Sequence, residues 1–142
     1  MKEELKIVTP CNFEHVRLIG AVINRICRES SMKDMDVCNS ELAVVEACTN
    51  VVKHAHKDKL LEKLCVEIFI ESDRIEFHVY DKGPGFDLNK KILHNEGHDL
   101  LSESSRGIFI IKSVMDEVYY DLSPGGNIMR MIKYRVAEDK SN

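Results

Sequence analysis

Apolar residues in the first part of the chain recur at helical spacing. The segment Glu-Leu-Lys-Ile-Val at residues 4–8 predicts a short strand, which Pro10 ends, and Asn12 is a suitable N-cap for a helix that extends to about Glu29. The apolar positions of this helix recur every three or four residues, at Phe13, Val16, Ile19, Ile23 and Ile26. One face of the first helix is therefore expected to pack on a core.

A second helix is predicted after a polar interruption. The stretch at residues 29–36 breaks the first pattern, and helical spacing then resumes and continues to about His56. The positions that carry this second period are Leu42, Val45, Cys48, Thr49 and Val52. The chain therefore begins with a strand and two helices.

The middle of the chain changes to a period of two. Aliphatic or aromatic residues recur at every second position from Val66 to Ile70 and again from Ile75 to Val79, on either side of a Ser-Asp-Arg turn at residues 72–74. This alternation predicts an antiparallel hairpin.

The last third of the chain combines an aperiodic segment with a helix and a second hairpin. Residues 81–104 have no steady period, and aperiodic stretches of this length in a compact domain usually form binding loops, so a lid is expected at about 88–104. A third helix is predicted from Ser105 to residue 116, and strands at 117–121 and 127–136 flank a Ser-Pro-Gly-Gly turn. We expect one domain over residues 1–142, an α/β (α+β) two-layer sandwich whose mostly antiparallel mixed sheet carries the helices on one face.

Composition narrows the classes of function. The 142 residues suit one domain, and 44% hydrophobic content is ordinary for a globular protein. A net charge of -4, with dispersed Lys and Arg, argues against a nucleic-acid partner. No apolar stretch approaches the roughly 18 residues of a membrane span, and no export signal is apparent, so we expect a cytoplasmic protein. Five cysteines without a CxxC pair indicate reduced thiols.

The second helix carries a polar stripe beside its apolar face. At 100° per residue, Glu46, Asn50 and Lys53 fall in one narrow stripe, with His54 next to them. The Asn side-chain oxygen suits Mg²⁺, which takes further ligands from nucleotide phosphates, and a Glu one turn away can accept the proton of an attacking hydroxyl. Taken alone, the pair is also typical of a solvated helix face.

Asp81 ends the first hairpin and runs into Gly83 and Gly85. Glycine lets the backbone approach a ligand closely, and an Asp at a strand end can accept a hydrogen bond from an exocyclic amine such as that of adenine. An ordinary Gly-Pro-Gly turn is the alternative. Gly107 is predicted in the first turn of the third helix, where free N–H groups and the helix dipole attract phosphate.

The order of these features resembles the GHKL superfamily of ATPases and kinases, and within it the small serine kinases that act as bacterial anti-sigma factors. Residues 46–55 are similar to the family's E-A-x-T-N-x-x-x-H-A box, and residues 107–118 are similar to its G-h-h-h-h-x-x-x-M-D-E-V box, where h is hydrophobic. The resemblance extends from the first strand to the last and implies a histidine kinase-like ATPase fold.

The resemblance also implies roles for individual residues. Glu46 is implied as the catalytic base, Asn50 as the Mg²⁺ ligand and Asp81 as the acceptor of the adenine amine. ATP and Mg²⁺ are the implied cofactors, and Gly107 is implied to lie by the phosphates. The full set of implied nucleotide-binding residues is Asn50, Lys53, His54, Asp81, Gly83, Gly85, Phe86, Ser105, Arg106, Gly107, Ile108 and Asn127.

Partners follow from the same resemblance. The implied reaction phosphorylates a serine of an anti-sigma-factor antagonist, the implied second partner is a sigma factor, and a homodimer is implied. Ser105 stands where the family usually has the first glycine of Gly-x-Gly, and Asn127 stands where a Thr is usual. Because serine is less flexible than glycine, a nucleotide-gated protein-binding module without kinase activity is the alternative function.

Overall fold

The computed structural model describes residues 2–57, 63–82, 103–122 and 125–136. Within these ranges the chain forms three helices and five strands, and their order along the chain is the predicted one. Their bounds are β1 Glu3–Pro10, α1 Phe13–Glu29, α2 Asp34–Lys57, β2 Lys63–Ile70, β3 Arg74–Asp81, α3 Glu103–Val114, β4 Glu117–Asp121 and β5 Asn127–Tyr134. No helix in the described ranges is long and apolar enough to span a membrane.

Helix α1 begins at the predicted cap. The side-chain oxygen of Asn12 accepts a hydrogen bond from the backbone N–H of His15 at 3.0 Å, which satisfies one of the amides that a helix start leaves unpaired. Phe13 differs from expectation because it is 52% exposed. The buried face starts one turn later and consists of Val16, Ile19, Gly20, Ile23 and Cys27.

The sheet has the strand order β1-β2-β3-β5-β4, and all four neighbouring pairs are antiparallel. The mixed component that we expected is therefore absent from the described strands. The reason lies in the connection between β1 and β2, which contains two helices. The second helix brings the chain back to the end of the sheet where β1 finished, so Pro10 pairs with Lys63 and β2 runs back along β1.

The helices cover one face of this sheet, as the alternation predicts. Helix α2 packs over the central strands and lies between α1 and α3, while α1 also contacts β1. The residues of the sheet that face the helices include Leu64, Val66, Ile68, Ile75, Phe77, Val79, Met129 and Met131, each at most 5% exposed. The architecture is the expected two-layer α/β sandwich.

A buried lysine on β5 joins the sheet to the start of α2 and the end of α3. Lys133 of β5 is only 8% exposed at its side chain and donates a hydrogen bond to the carbonyl oxygen of Val114 at 2.7 Å. Its Nζ also lies 3.6 Å from carboxylate oxygens of Asp36, near the start of α2, and Asp116, just after α3. These contacts tie β5 to both helices.

Helix α3 begins at Glu103, two residues before the predicted start at Ser105. Gly107 is consequently the fifth residue of the helix and lies outside the first turn. In an α-helix only the first four amides lack an intrahelical partner. The amides available to a ligand at this end therefore belong to residues 103–106, and Gly107 must act through its lack of a side chain.

Candidate functional site

The polar stripe on α2 faces the N-terminal part of α3. Asn50 is 6% exposed and Glu46 is half-buried, one helical turn before it. Lys53 and His54 follow on the same side and are also half-buried. Leu42, by contrast, is 40% exposed. The helix turns these polar residues toward the protein and away from bulk water, which argues against a merely solvated face.

Gly107 brings the stripe and α3 into contact. A β-carbon at this position would lie 2.9 Å from Oε2 of Glu46 and within 3.4 to 3.5 Å of the two polar atoms of the Asn50 amide. Any side chain on residue 107 would therefore displace the Glu46 carboxylate. The glycine places the proposed base and the proposed metal ligand against the same point of α3.

Asp81 lies at the end of β3, opposite Asn127 at the start of β5. Both residues are buried, at 5% and 4% exposure. Oδ2 of Asp81 is 3.5 Å from Nδ1 of His54 and 3.5 Å from the hydroxyl of Tyr120. A carboxylate buried beside the apolar core therefore faces two side chains that can donate hydrogen bonds to it.

A small cavity of about 20 Å³ lies beside this carboxylate. Its apolar walls include Val51, Val79 and Met129, and its polar lining includes Asn50, His54 and Asp81. Space of this size holds about one water molecule and is smaller than an adenine base. Apolar walls with a few polar groups are typical of small-molecule sites.

His54 has a buried ring nitrogen that is suited to binding a ligand. Its Nδ1 is buried, and no hydrogen-bond partner satisfies it among the described residues, although Asp81 is 3.5 Å away. Buried polar atoms are nearly always paired, so an orphaned one in a cavity suggests that a ligand or water completes it. The residues present are thus compatible with a bound adenine base, whose ring nitrogens and amine offer such partners.

The metal prediction rests on a sparse donor set. No group of three or more His, Cys, Asp or Glu residues that could hold a metal occurs among the described residues. The Asn50 side-chain oxygen is the right kind of ligand for Mg²⁺, which keeps most of its waters and binds nucleotide phosphates. The site accordingly suits a metal that arrives with a nucleotide better than a metal held by the protein alone.

Some of the remaining predicted site residues are described by the structure and others are not. Arg106 is exposed beside Gly107, and Ile108 is 1% exposed. Ser105 belongs to the first turn of α3. Gly83, Gly85, Phe86 and residues 88–102 of the expected lid lie outside the described residues. The last two residues of that predicted lid, 103 and 104, belong to α3.

Tyr120 was not among the residues that the sequence singled out. The alternation of β4 places Val118 and Tyr120 on one side of the strand, and both pack against the core. That alternation was a usable signal for an inward tyrosine. It carried no information about which residue the hydroxyl would reach, because Asp81 is 39 positions away in the chain.

Comparison with known proteins adds independent evidence. Residues 9–133 match the family model described as the histidine kinase-like ATPase domain. Serine-protein kinase RsbW of Staphylococcus epidermidis is 35% identical over 150 aligned residues, which cover 99% of this chain and 92% of that protein. Serine-protein kinase RsbW of Bacillus velezensis is 31% identical, with 92% of this chain and 84% of that one covered.

Two solved structures share the fold. The structure of the RsbU and RsbW domains of Rv1364c from Mycobacterium tuberculosis matches with a TM-score of 0.66 at 16% identity, over 96% of this chain and 34% of that one. The SiaB–SiaC complex from Pseudomonas aeruginosa matches with a TM-score of 0.64 at 12% identity, over 92% and 89% of the two chains. At these identities the likeness concerns the fold alone.

Proposed function

Since the chain belongs to the histidine kinase-like ATPase domain family, we propose that it is an ATP-dependent serine-protein kinase that acts as an anti-sigma factor. The observation that carries the proposal is that the side chains of Glu46 and Asn50 both contact Gly107. They do so on the side of α2 that faces the cavity beside the buried Asp81. These residues supply a general base, a metal ligand and a carboxylate that recognises adenine, which together suit phosphoryl transfer from ATP. The curated relatives carry the same activity in their names.

In the proposed reaction Glu46 acts as general base. A serine hydroxyl of the protein substrate attacks the γ-phosphorus of ATP, an O–P bond forms, the bond between the γ-phosphorus and the bridging oxygen breaks, and ADP leaves. Glu46 takes the proton of the attacking hydroxyl. Contact with Gly107 limits where the Glu46 carboxylate can lie, which favours one orientation toward the substrate.

Nucleotide binding is divided between two groups of residues. Asp81, His54 and Asn127 are proposed to bind the adenine end of the nucleotide. Gly83, Gly85 and Phe86, which lie outside the described residues, are proposed to belong to the same pocket. Asn50 is proposed to ligate Mg²⁺, which when bound neutralises phosphate charge. Lys53, Ser105 and Arg106 are proposed to lie along the phosphate chain, where the free amides of residues 103–106 attract negative charge. Gly107 and Ile108 follow in the same helix, and Gly107 is proposed to let the phosphates approach because it has no side chain.

The exposed guanidinium of Arg106 suits the γ-phosphate. A planar guanidinium can donate two hydrogen bonds to phosphate oxygens while charge redistributes during transfer. Arg106 lies at the start of α3, next to the glycine that contacts Glu46. Its side chain is exposed, so it can reach a ligand without crossing the core.

The proposed partners are an anti-sigma-factor antagonist, which is the serine substrate, and a sigma factor, which the same domain sequesters in the cytoplasm. We also propose a homodimer formed through β1. This strand is eight residues long and lies at the edge of the sheet. It exposes Val8 at 50% and Leu5 at 41%. The unpaired backbone N–H and C=O groups along such an edge strand are a template for pairing with a second chain.

A labelling experiment tests the function. The chain is incubated with Mg²⁺, γ-labelled ATP and the antagonist encoded near its gene, and ATP binding is measured in parallel by calorimetry. We expect label on an antagonist serine, and we expect Asp81→Ala to nearly abolish ATP binding because the amine loses a buried charged acceptor, a loss of about 1.5 to 3 kcal/mol.

The two measurements separate the candidate functions. A parent that binds ATP but labels no antagonist would support the nucleotide-gated binding module in place of the kinase. A folded parent that binds no ATP would contradict both functions. Equal ATP binding by the parent and Asp81→Ala would show that the pocket is wrongly assigned.

A further inference from the structure

Tyr120 reaches the candidate base pocket from the edge of the sheet. It lies on β4, its Cα partner on β5 is Met129, and Met129 is in turn the partner of Val79 on β3. Neighbouring strands are about 4.8 Å apart, so the tyrosine side chain crosses β5 on the helix-covered face. Its hydroxyl ends 3.5 Å from Oδ2 of Asp81.

Two side chains approach the same oxygen of Asp81. The hydroxyl of Tyr120 and Nδ1 of His54 each lie 3.5 Å from Oδ2. An ionised carboxylate only accepts hydrogen bonds, whereas a phenol can donate one. The two neighbours come from different elements, β4 and α2, and they differ in kind: Tyr120 donates a hydrogen bond to the carboxylate, whereas Nδ1 of His54 comes close without making one.

We propose that Tyr120 is a positioning residue that sets the preference of this pocket for adenine. Its hydroxyl turns the Asp81 carboxylate so that the carboxylate accepts the exocyclic amine of the base. This inference rests on the proposed ATP site and adds to it a residue outside the motifs that identified the site. The ring of Tyr120 lines the cavity as well, so the hydroxyl and the ring have separable effects.

The geometry sets the size of the effect. A separation of 3.5 Å is longer than the usual 2.5 to 3.0 Å of an O–H···O bond, so the hydroxyl orients the carboxylate more than it binds it. Net contributions of about 0.7 to 1.4 kcal/mol, within the usual range for one hydrogen bond, correspond to roughly three- to tenfold in affinity. The hydroxyl should matter for ATP and hardly for ITP, because inosine has an oxygen acceptor where adenine has the amine.

The experiment compares Tyr120→Phe with Tyr119→Phe. Tyr119 is adjacent on the same strand, is 41% exposed, and donates its hydroxyl to Glu117, away from the pocket. Both variants lose one hydroxyl from β4, and thermal unfolding without nucleotide checks that each is folded. Calorimetry then gives the affinities of both variants and the parent for Mg-ATP and Mg-ITP.

We expect Tyr120→Phe to weaken ATP binding roughly three- to tenfold, to leave ITP binding close to the parent value, and so to reduce the preference for ATP. Tyr119→Phe should keep the parent preference. Equal weakening of ATP and ITP by Tyr120→Phe would show a purely structural role and overturn the inference, as would an unchanged preference. A parent that binds neither nucleotide would overturn the proposed function itself, a result distinguishable from failure of Tyr120 alone.

Discussion

At the scale of single residues, Glu46 and Asn50 contact the same glycine but are proposed to do different work. Glu46→Gln keeps the size of the side chain and removes its ability to take a proton. We expect it to retain ATP affinity and to lose phosphoryl transfer by roughly 10² to 10⁴-fold, the range usual for general acid–base groups. The measurements are calorimetry and the rate of antagonist labelling.

Asn50→Ala should behave in the opposite way. It removes the proposed metal ligand, so nucleotide affinity should fall when Mg²⁺ is present and change little when the metal is chelated. Binding of ATP by the parent and the variant, with and without Mg²⁺, measures this difference. If Glu46→Gln and Asn50→Ala lose nucleotide binding to the same extent, Glu46 has a structural role and the assignment of the base is wrong.

The cysteines give a third residue-scale prediction. Burial raises the pKa of the Cys27 and Cys48 thiols to about 12, and both side chains are 0% exposed. Cys38 on α2 is exposed. Because the thiolate is the reactive form, iodoacetamide at neutral pH should label Cys38 first and reach Cys27 and Cys48 only after unfolding. Peptide mass spectrometry follows each site, and rapid native labelling of Cys48 would contradict the packing described.

At the scale of elements, two glycines control how closely helices approach. A β-carbon on Gly20 of α1 would lie 2.8 Å from Cγ2 of Val45, and one on Gly107 of α3 would lie 2.9 Å from Oε2 of Glu46. The valine is branched at Cβ and cannot turn away easily on a helix. The end of the glutamate can. Equal substitutions should therefore have different consequences.

We expect Gly20→Ala to lower the free energy of unfolding by about 1 kcal/mol, since overpacking costs roughly 1 to 3 kcal/mol and helix propensity returns up to about 1 kcal/mol. Gly107→Ala should leave stability unchanged or raise it, yet lower phosphoryl transfer by roughly 10 to 100-fold because Glu46 is displaced. Urea unfolding and the labelling rate test both. Transfer at the parent rate by Gly107→Ala would show that the contact with Glu46 is not functional.

At the scale of the whole molecule, the proposed homodimer depends on β1. β1 already carries Lys6, and a second lysine in place of the exposed Val8 adds charge that opposes pairing with another chain. Val8→Lys should therefore reduce a particle of twice 16.3 kDa to one of 16.3 kDa in sedimentation equilibrium. Met35→Lys is the matched control because Met35 is 71% exposed at the start of α2, away from β1. Dimers of unchanged strength in Val8→Lys would place the interface elsewhere.

Much of the fold was predictable because local periodicity states which side of an element must be buried. The alternation from Val66 to Val79 and the helical spacing up to His56 predicted these elements, and the structure confirms them. The stripe of Glu46 and Asn50 was predictable for the same reason, since helix geometry alone puts residues four apart on one face. Phe13 shows the limit of this reasoning, because spacing does not tell where along a helix the core begins.

Sequence by itself thus determined the elements, their order and the polar stripe of α2, all of which depend on neighbours within a few positions. Only the tertiary structure decided that Gly107 contacts both Glu46 and Asn50, and that Tyr120 reaches Asp81 across β5. These contacts join residues far apart in the chain, and they follow from the strand order and the spacing of the helices. Hydrophobic periodicity specifies neither the strand order nor the spacing of the helices, because it shows which face of an element is buried and not which element covers that face.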